Sequence, residues 1–103
     1  MVIELEKELD FEGLTKEGIA LVDFNATWCG PCRMLKPVFE EASNADTSVK
    51  FIGVDVDKFG ALAGRFNVRA VPTLVLLKDG KIVDIKTGFM PKESLLALVN
   101  KAK

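Results

Sequence analysis

Both cysteines of the chain lie in one short run, Thr27-Trp28-Cys29-Gly30-Pro31-Cys32. With two residues between them in a helical turn, their sulfurs can approach closely enough to close a disulfide. A dithiol of that kind can do thiol–disulfide exchange, in which the thiolate is the nucleophile. Two plainer readings compete with it: a pair of buried cysteines without a chemical role, and half of a zinc site. Closed structural zinc needs four ligands. A chain with two cysteines and no histidine supplies them only by dimerising around the metal.

The elements around the pair supply chemistry of their own. Ile19-Ala20-Leu21-Val22-Asp23-Phe24 is apolar except for one carboxylate, and the run Ile19 to Asn25 reads as a buried strand. Arg33 to Asp46 has helical spacing, with Cys32, Leu35, Val38, Phe39 and Ala42 on one face and Glu40, Glu41 and Asn44 exposed. The thiols therefore sit where a strand hands over to the first turn of a helix. Unpaired N–H groups and the positive end of the helix dipole stabilise an anion there, so a cysteine should lose its proton more easily than a free thiol. Gly30 lets the backbone turn, and Pro31 fits a first turn because its missing N–H would have had no partner. Trp28 sets a flat apolar surface beside the sulfurs. Pro37, inside the helical pattern, should kink the helix.

Val2-Ile3-Glu4-Leu5 reads as an early strand, and Asp10 to Lys16 as a short helix capped by Asp10 or ended near Gly13. Val49 to Val56 is β-branched enough for a central strand, and Lys58 to Phe66 reads as a short helix. Val71-Pro72-Thr73 leads into the apolar Leu74 to Leu77. Lys78-Asp79-Gly80-Lys81 is a hairpin turn, from which Ile82 to Thr87 pairs back antiparallel until Gly88. Pro91 to Ala102 closes the chain as an amphipathic helix with Leu95, Leu98, Val99 and Ala102 inward. Strands alternating with helices and then a hairpin predict one α/β domain over residues 1–103, with parallel central strands and an antiparallel part.

Composition narrows the function. Hydrophobic residues at 49% and charged residues at 28% suit a packed globule rather than a disordered chain. A net charge of −1 leaves no basic field for nucleic acid, and no apolar run is long enough to span a bilayer. The N-terminus sets Glu4, Glu6, Glu8 and Asp10 against Lys7, unlike a signal peptide. The expected location is the cytoplasm, where a Cys-x-x-Cys pair is catalytic or metal-binding more often than a structural staple.

Trp28-Cys29-Gly30-Pro31-Cys32, following an apolar strand that carries Asp23, resembles the active site of the thioredoxin family, and the resemblance covers essentially the whole chain. It implies the thioredoxin fold, three α/β/α layers with a central mixed β-sheet. It also implies a general protein-disulfide reductase working through a reversible Cys29–Cys32 disulfide, with no bound cofactor or metal. A thioredoxin reductase would recycle it, so NADPH enters only indirectly. The remaining partners would be disulfide-containing proteins, met by a monomer that needs neither membrane nor nucleic acid. Cys29 takes the place of the attacking thiolate, and Cys32, one turn in and more buried, that of the resolving thiol. Asp23 matches the family's buried proton acceptor. Burial should raise its pKa, against the plainer reading of a strand-end Asp wetted by solvent. Pro72 matches a cis-proline loop that leaves the Val71 backbone able to pair with an extended substrate. Trp28, Gly30, Pro31, Ala70, Val71 and Gly88 match the substrate-facing surface.

Two positions depart from the family pattern. Asn25 stands where Trp is common. Spacing within Gly53-Val54-Asp55-Val56-Asp57 sets Gly53 at the place of a buried lysine, so Asp23 lacks that cation unless Lys50 or another residue substitutes. Other functions remain open. A disulfide oxidant or isomerase would commonly carry His where this chain has Pro31. An accessory binding module would need neither cysteine.

Overall fold

The computed structural model describes residues 1–103. The elements run β1 (Val2–Glu4), α1 (Asp10–Thr15), β2 (Ile19–Asn25), α2 (Gly30–Ala45), β3 (Val49–Asp55), α3 (Gly60–Arg65), β4 (Thr73–Lys78), β5 (Lys81–Thr87) and α4 (Lys92–Asn100). One sheet has the order β1-β3-β2-β4-β5. The first three strands are parallel, and β4 and β5 add the antiparallel side.

β2 lies at the centre because it is apolar on both faces, as a strand covered from above and below must be. Val22 and Phe24 pack with Phe11, Leu62 and Phe66 on the side of α1 and α3. Leu21 packs with Leu35 and Phe39 of α2 and Leu95 of α4 on the other. Edge-on aromatic pairs lock each layer: Phe11 and Phe66 centroids lie 5.6 Å apart, and those of Phe39 and Phe51 5.2 Å apart. From β2 the chain crosses to β3 on one side, while β4 occupies the other. A crevice beyond the carboxyl ends of the strands opens at such a switch point, and the Cys-x-x-Cys run leaves β2 there. No helix is long and apolar enough to cross a membrane.

Several local expectations need correction. α2 starts at Gly30 with Cys29 as its N-cap and Pro31 in its first turn, as expected, but other boundaries shift. α2 runs through Pro37, which removes the N–H that would have reached the Arg33 carbonyl. Leu9 rather than Asp10 is the N-cap of α1, and no side chain caps it. α1 runs through Gly13 to Thr15, whose hydroxyl donates to the Phe11 carbonyl at 2.9 Å. α3 is shorter than read, with Phe59 as its N-cap. The hairpin turn is as expected: Asp79 and Gly80 have φ of 50° and 82°, the left-handed pair a tight two-residue turn requires.

Candidate active site

Cys29 is the N-cap of α2, in extended conformation, and its amide donates to the Ala26 carbonyl at 3.3 Å. Its sulfur is bonded to that of Cys32, with Cα atoms 5.2 Å apart. The Cys32 amide, an otherwise unpaired first-turn N–H, donates to Cys29 Sγ at 3.2 Å. Across the crevice, Cys29 Sγ lies 3.6 Å from the Val71 carbonyl oxygen. The Val71–Pro72 peptide is cis, as the resemblance implied. The Thr73 hydroxyl donates to the Ala70 carbonyl at 2.6 Å and the Gly88 amide to the Pro72 carbonyl at 2.8 Å. Those bonds fix the entry to β4 against the exit from β5.

One expectation fails here. Cys32 is not more buried than Cys29: each is 5% exposed, because the Val71 loop covers the first sulfur as the helix covers the second. Their asymmetry lies in hydrogen bonding, since it is Cys29 that receives an amide.

Around the sulfurs, Trp28 is 66% exposed and its Nε1 donates to Asp57 Oδ2 at 2.9 Å. Asp57 is itself held by its amide, which donates to Asp55 Oδ1 at 2.9 Å. Pro31 and Ala70 are exposed, while Gly30, Val71 and Gly88 are half-buried. Pro72 is buried.

Behind the disulfide, a cavity of about 480 Å³ lies between α2 and the sheet, and Asp23, Asn25, Cys32, Lys36 and Glu4 line it. Asp23 is only 5% exposed, and its Oδ1 is buried without a hydrogen-bond partner. Burial pushes its pKa from 3.8 up to about 7; the negative charge of Glu4 adds to the rise and the Asn25 side chain opposes it. Asn25, in the place of the family's frequent Trp, donates from Nδ2 to the Asp23 backbone carbonyl at 3.0 Å. Lys50 does not replace the missing lysine. Its Nζ donates to the Leu14 and Glu17 carbonyls at 3.1 and 3.3 Å, at the end of α1.

Sequence reading missed Glu4 and Asp57 as site residues. Asp57 left a faint signal, since an Asp-Val-Asp run after a strand favours a turn that presents a carboxylate. Glu4 left none.

The thioredoxin family model matches residues 2–101. Thioredoxin of Bacillus subtilis is 44% identical over 102 residues, 98% of either chain. Among solved structures, a mutant thioredoxin from Halobacterium salinarum superposes with a TM-score of 0.90 at 34% identity, covering 97% of this chain and 88% of that one. Another similar chain comes from a structural study of thiol resolution in yeast mitochondrial 1-Cys peroxiredoxin via glutathione/thioredoxin systems. It has a TM-score of 0.86 and 30% identity, with 96% and 93% coverage.

Proposed function

The chain belongs to the thioredoxin family of protein thiol–disulfide oxidoreductases, which carry a redox-active disulfide and no prosthetic cofactor, and we propose from that premise how its own residues run the reaction. Cys29 is the nucleophile. Its thiolate attacks one sulfur of a substrate disulfide, a Cys29–substrate disulfide forms, and the other substrate sulfur leaves as a thiolate. Cys32 then gives its proton to the Asp23 carboxylate and attacks Cys29 Sγ. The second substrate sulfur departs, so the substrate has gained two electrons and Cys29–Cys32 is oxidised. A reductase returns the two electrons, drawing on NADPH that never touches this chain.

The observation that carries this reading is the Cys32 amide directed at Cys29 Sγ, with Asp23 and Cys32 facing one cavity. The substrate lies over Trp28, Gly30, Pro31, Ala70 and Gly88, and its backbone pairs with Val71 beside Pro72. Those side chains carry no charge, which suits many partners rather than one. The protein acts as a single domain and as a monomer on disulfide-containing proteins, and its place is the reducing cytoplasm.

In the reduced protein, brief treatment with a small alkylating agent is expected to label Cys29 and spare Cys32, because the amide of the first turn stabilises the Cys29 thiolate. Mass mapping reads this out, and label mainly on Cys32 reverses the two roles.

The couple is expected to be reducing. Thioredoxin is known to sit at about −270 mV and strongly oxidising relatives at about −120 mV. The difference arises when the reduced thiolate gains extra stabilisation, and Pro31 brings no cation to supply it. Equilibration against glutathione buffers gives the potential. A value close to that of the oxidants would favour the oxidant or isomerase reading instead.

A further inference from the structure

Glu4, Gly53 and Asp23 form one row across the sheet: Glu4 pairs with Gly53 in the β1–β3 register, and Asp23 with Gly53 in the β3–β2 register. All three belong to the face under α2, where they line one cavity. Gly53 has no side chain, and that space is taken. A Cβ built there would run into the Glu4 carboxylate, touching Oε2 and lying 3.1 Å from Oε1. Glu4 therefore folds inward from the sheet edge over the middle strand, one strand spacing of about 4.8 Å from the strand that bears Asp23. Glu4 also remains exposed, whereas Asp23 Oδ1 is buried with no hydrogen-bond partner.

We propose that Glu4, seated in the space left by Gly53, is a positioning residue that controls when the Asp23 carboxyl is free to accept the proton of Cys32. Its negative charge penalises a second negative charge beside it, so Asp23 keeps its proton to higher pH than burial alone would dictate. The other charged groups facing the cavity come from α2. The Arg33 guanidinium donates to the Thr27 carbonyl at 3.0 Å. Glu40 accepts from the Val2 amide and the Ser43 hydroxyl, both at 2.9 Å. Lys36 lines the cavity without a salt bridge. From β4, the neighbour of Asp23 is the apolar Leu74. Glu4 is thus the charge that reaches over the row, where a cation at position 53 would have pulled the other way. The inference rests on Asp23 being the proton acceptor for Cys32.

The test follows the Asp23 side-chain carboxyl by carbon NMR between pH 4 and 9. In parallel, single-turnover kinetics follow release of the mixed disulfide. Glu4→Gln should lower the midpoint of both titrations together. A fall of about half a pH unit makes release about threefold faster at pH 6. Glu4→Gln combined with Gly53→Lys should lower both midpoints further, since the atoms nearest a Cβ there belong to the flexible end of the side chain at position 4. Glu40→Gln, which removes a like charge held elsewhere in the cavity, should leave them in place. Unmoved midpoints in Glu4→Gln, or an equal fall in Glu40→Gln, overturn the role of Glu4. Asp23→Asn separates the two layers. If it abolishes the pH step of release while Glu4→Gln changes nothing, Glu4 alone is misassigned. If the step survives Asp23→Asn, the assignment of Asp23 fails, and the inference with it.

Discussion

Serine at position 29 is expected to leave a protein that reduces no protein disulfide, with activity down by a factor on the order of 10³ or more. Serine at position 32 is expected to leave one that attacks its substrate once and stays attached. The two outcomes differ because the cysteines act in sequence. Without Cys29 the remaining sulfur is covered by α2 and no longer has an acceptor sulfur at the helix cap. Without Cys32 the first exchange proceeds, but the mixed disulfide waits for a thiol from solution. A well-placed intramolecular group acts at an effective concentration of roughly 10⁵ M or more, against external thiol usually present at millimolar levels, so the adduct should accumulate. Insulin-type disulfide reduction measures the first loss, and mass spectrometry without reductant detects the adduct of the second. A Cys29→Ser protein that still reduces insulin would sink the exchange mechanism. If both serine variants kept the cellular function, the chain would be serving as a binding module.

What could be read from the sequence follows from how locally each feature is determined. β2 was legible because a strand covered on both faces must be apolar at nearly every position, and the lone Asp23 stood out against that background. The Asp79-Gly80 hairpin was legible because two consecutive left-handed residues demand those side chains. The start of α2 was legible too, since Pro31 suits a first turn although it is a poor helix former elsewhere, and Cys29 stands just before it as the cap. The roles of Asp23 and Pro72 came from the family resemblance, not from periodicity. Contacts between distant segments were out of reach. The cover over Cys29 comes from Val71 and the partner of Trp28 is Asp57, 42 and 29 positions away. Glu4 looked like one more charge in an acidic N-terminal run. Only the β1-β3-β2 order, with a glycine on the middle strand, turns it toward Asp23.

Asp23→Asn is expected to slow the reaction and strengthen the fold, and the two effects share one cause. In the folded chain Asp23 keeps its proton up to about pH 7, against an ordinary value of 3.8. Below about pH 4 the carboxyl is protonated in folded and unfolded chains alike and contributes nothing to the pH dependence. Between about 4 and 7 the unfolded chain gives up the proton first, so the folded state binds more protons and stability falls as pH rises. Above about 7 the full cost is present. At about 1.36 kcal/mol per pH unit, the gap from 3.8 to about 7 amounts to about 4 kcal/mol. Asparagine does not ionise. The stability of the variant relative to the parent should therefore improve by about 4 kcal/mol between pH 4 and pH 8, whatever its amide gains or loses in hydrogen bonds. Denaturant melts at the two pH values give that difference directly, and the cost of an unpaired amide cancels from it. Kinetically, formation of the mixed disulfide should be unchanged, because Cys29 needs no base. Its release at pH 8 should slow by about 10²-fold, the lower end of what a positioned base contributes. A variant that releases substrate at the parental rate, and whose stability tracks that of the parent across pH, would make Asp23 a buried structural carboxyl with no part in moving the proton of Cys32.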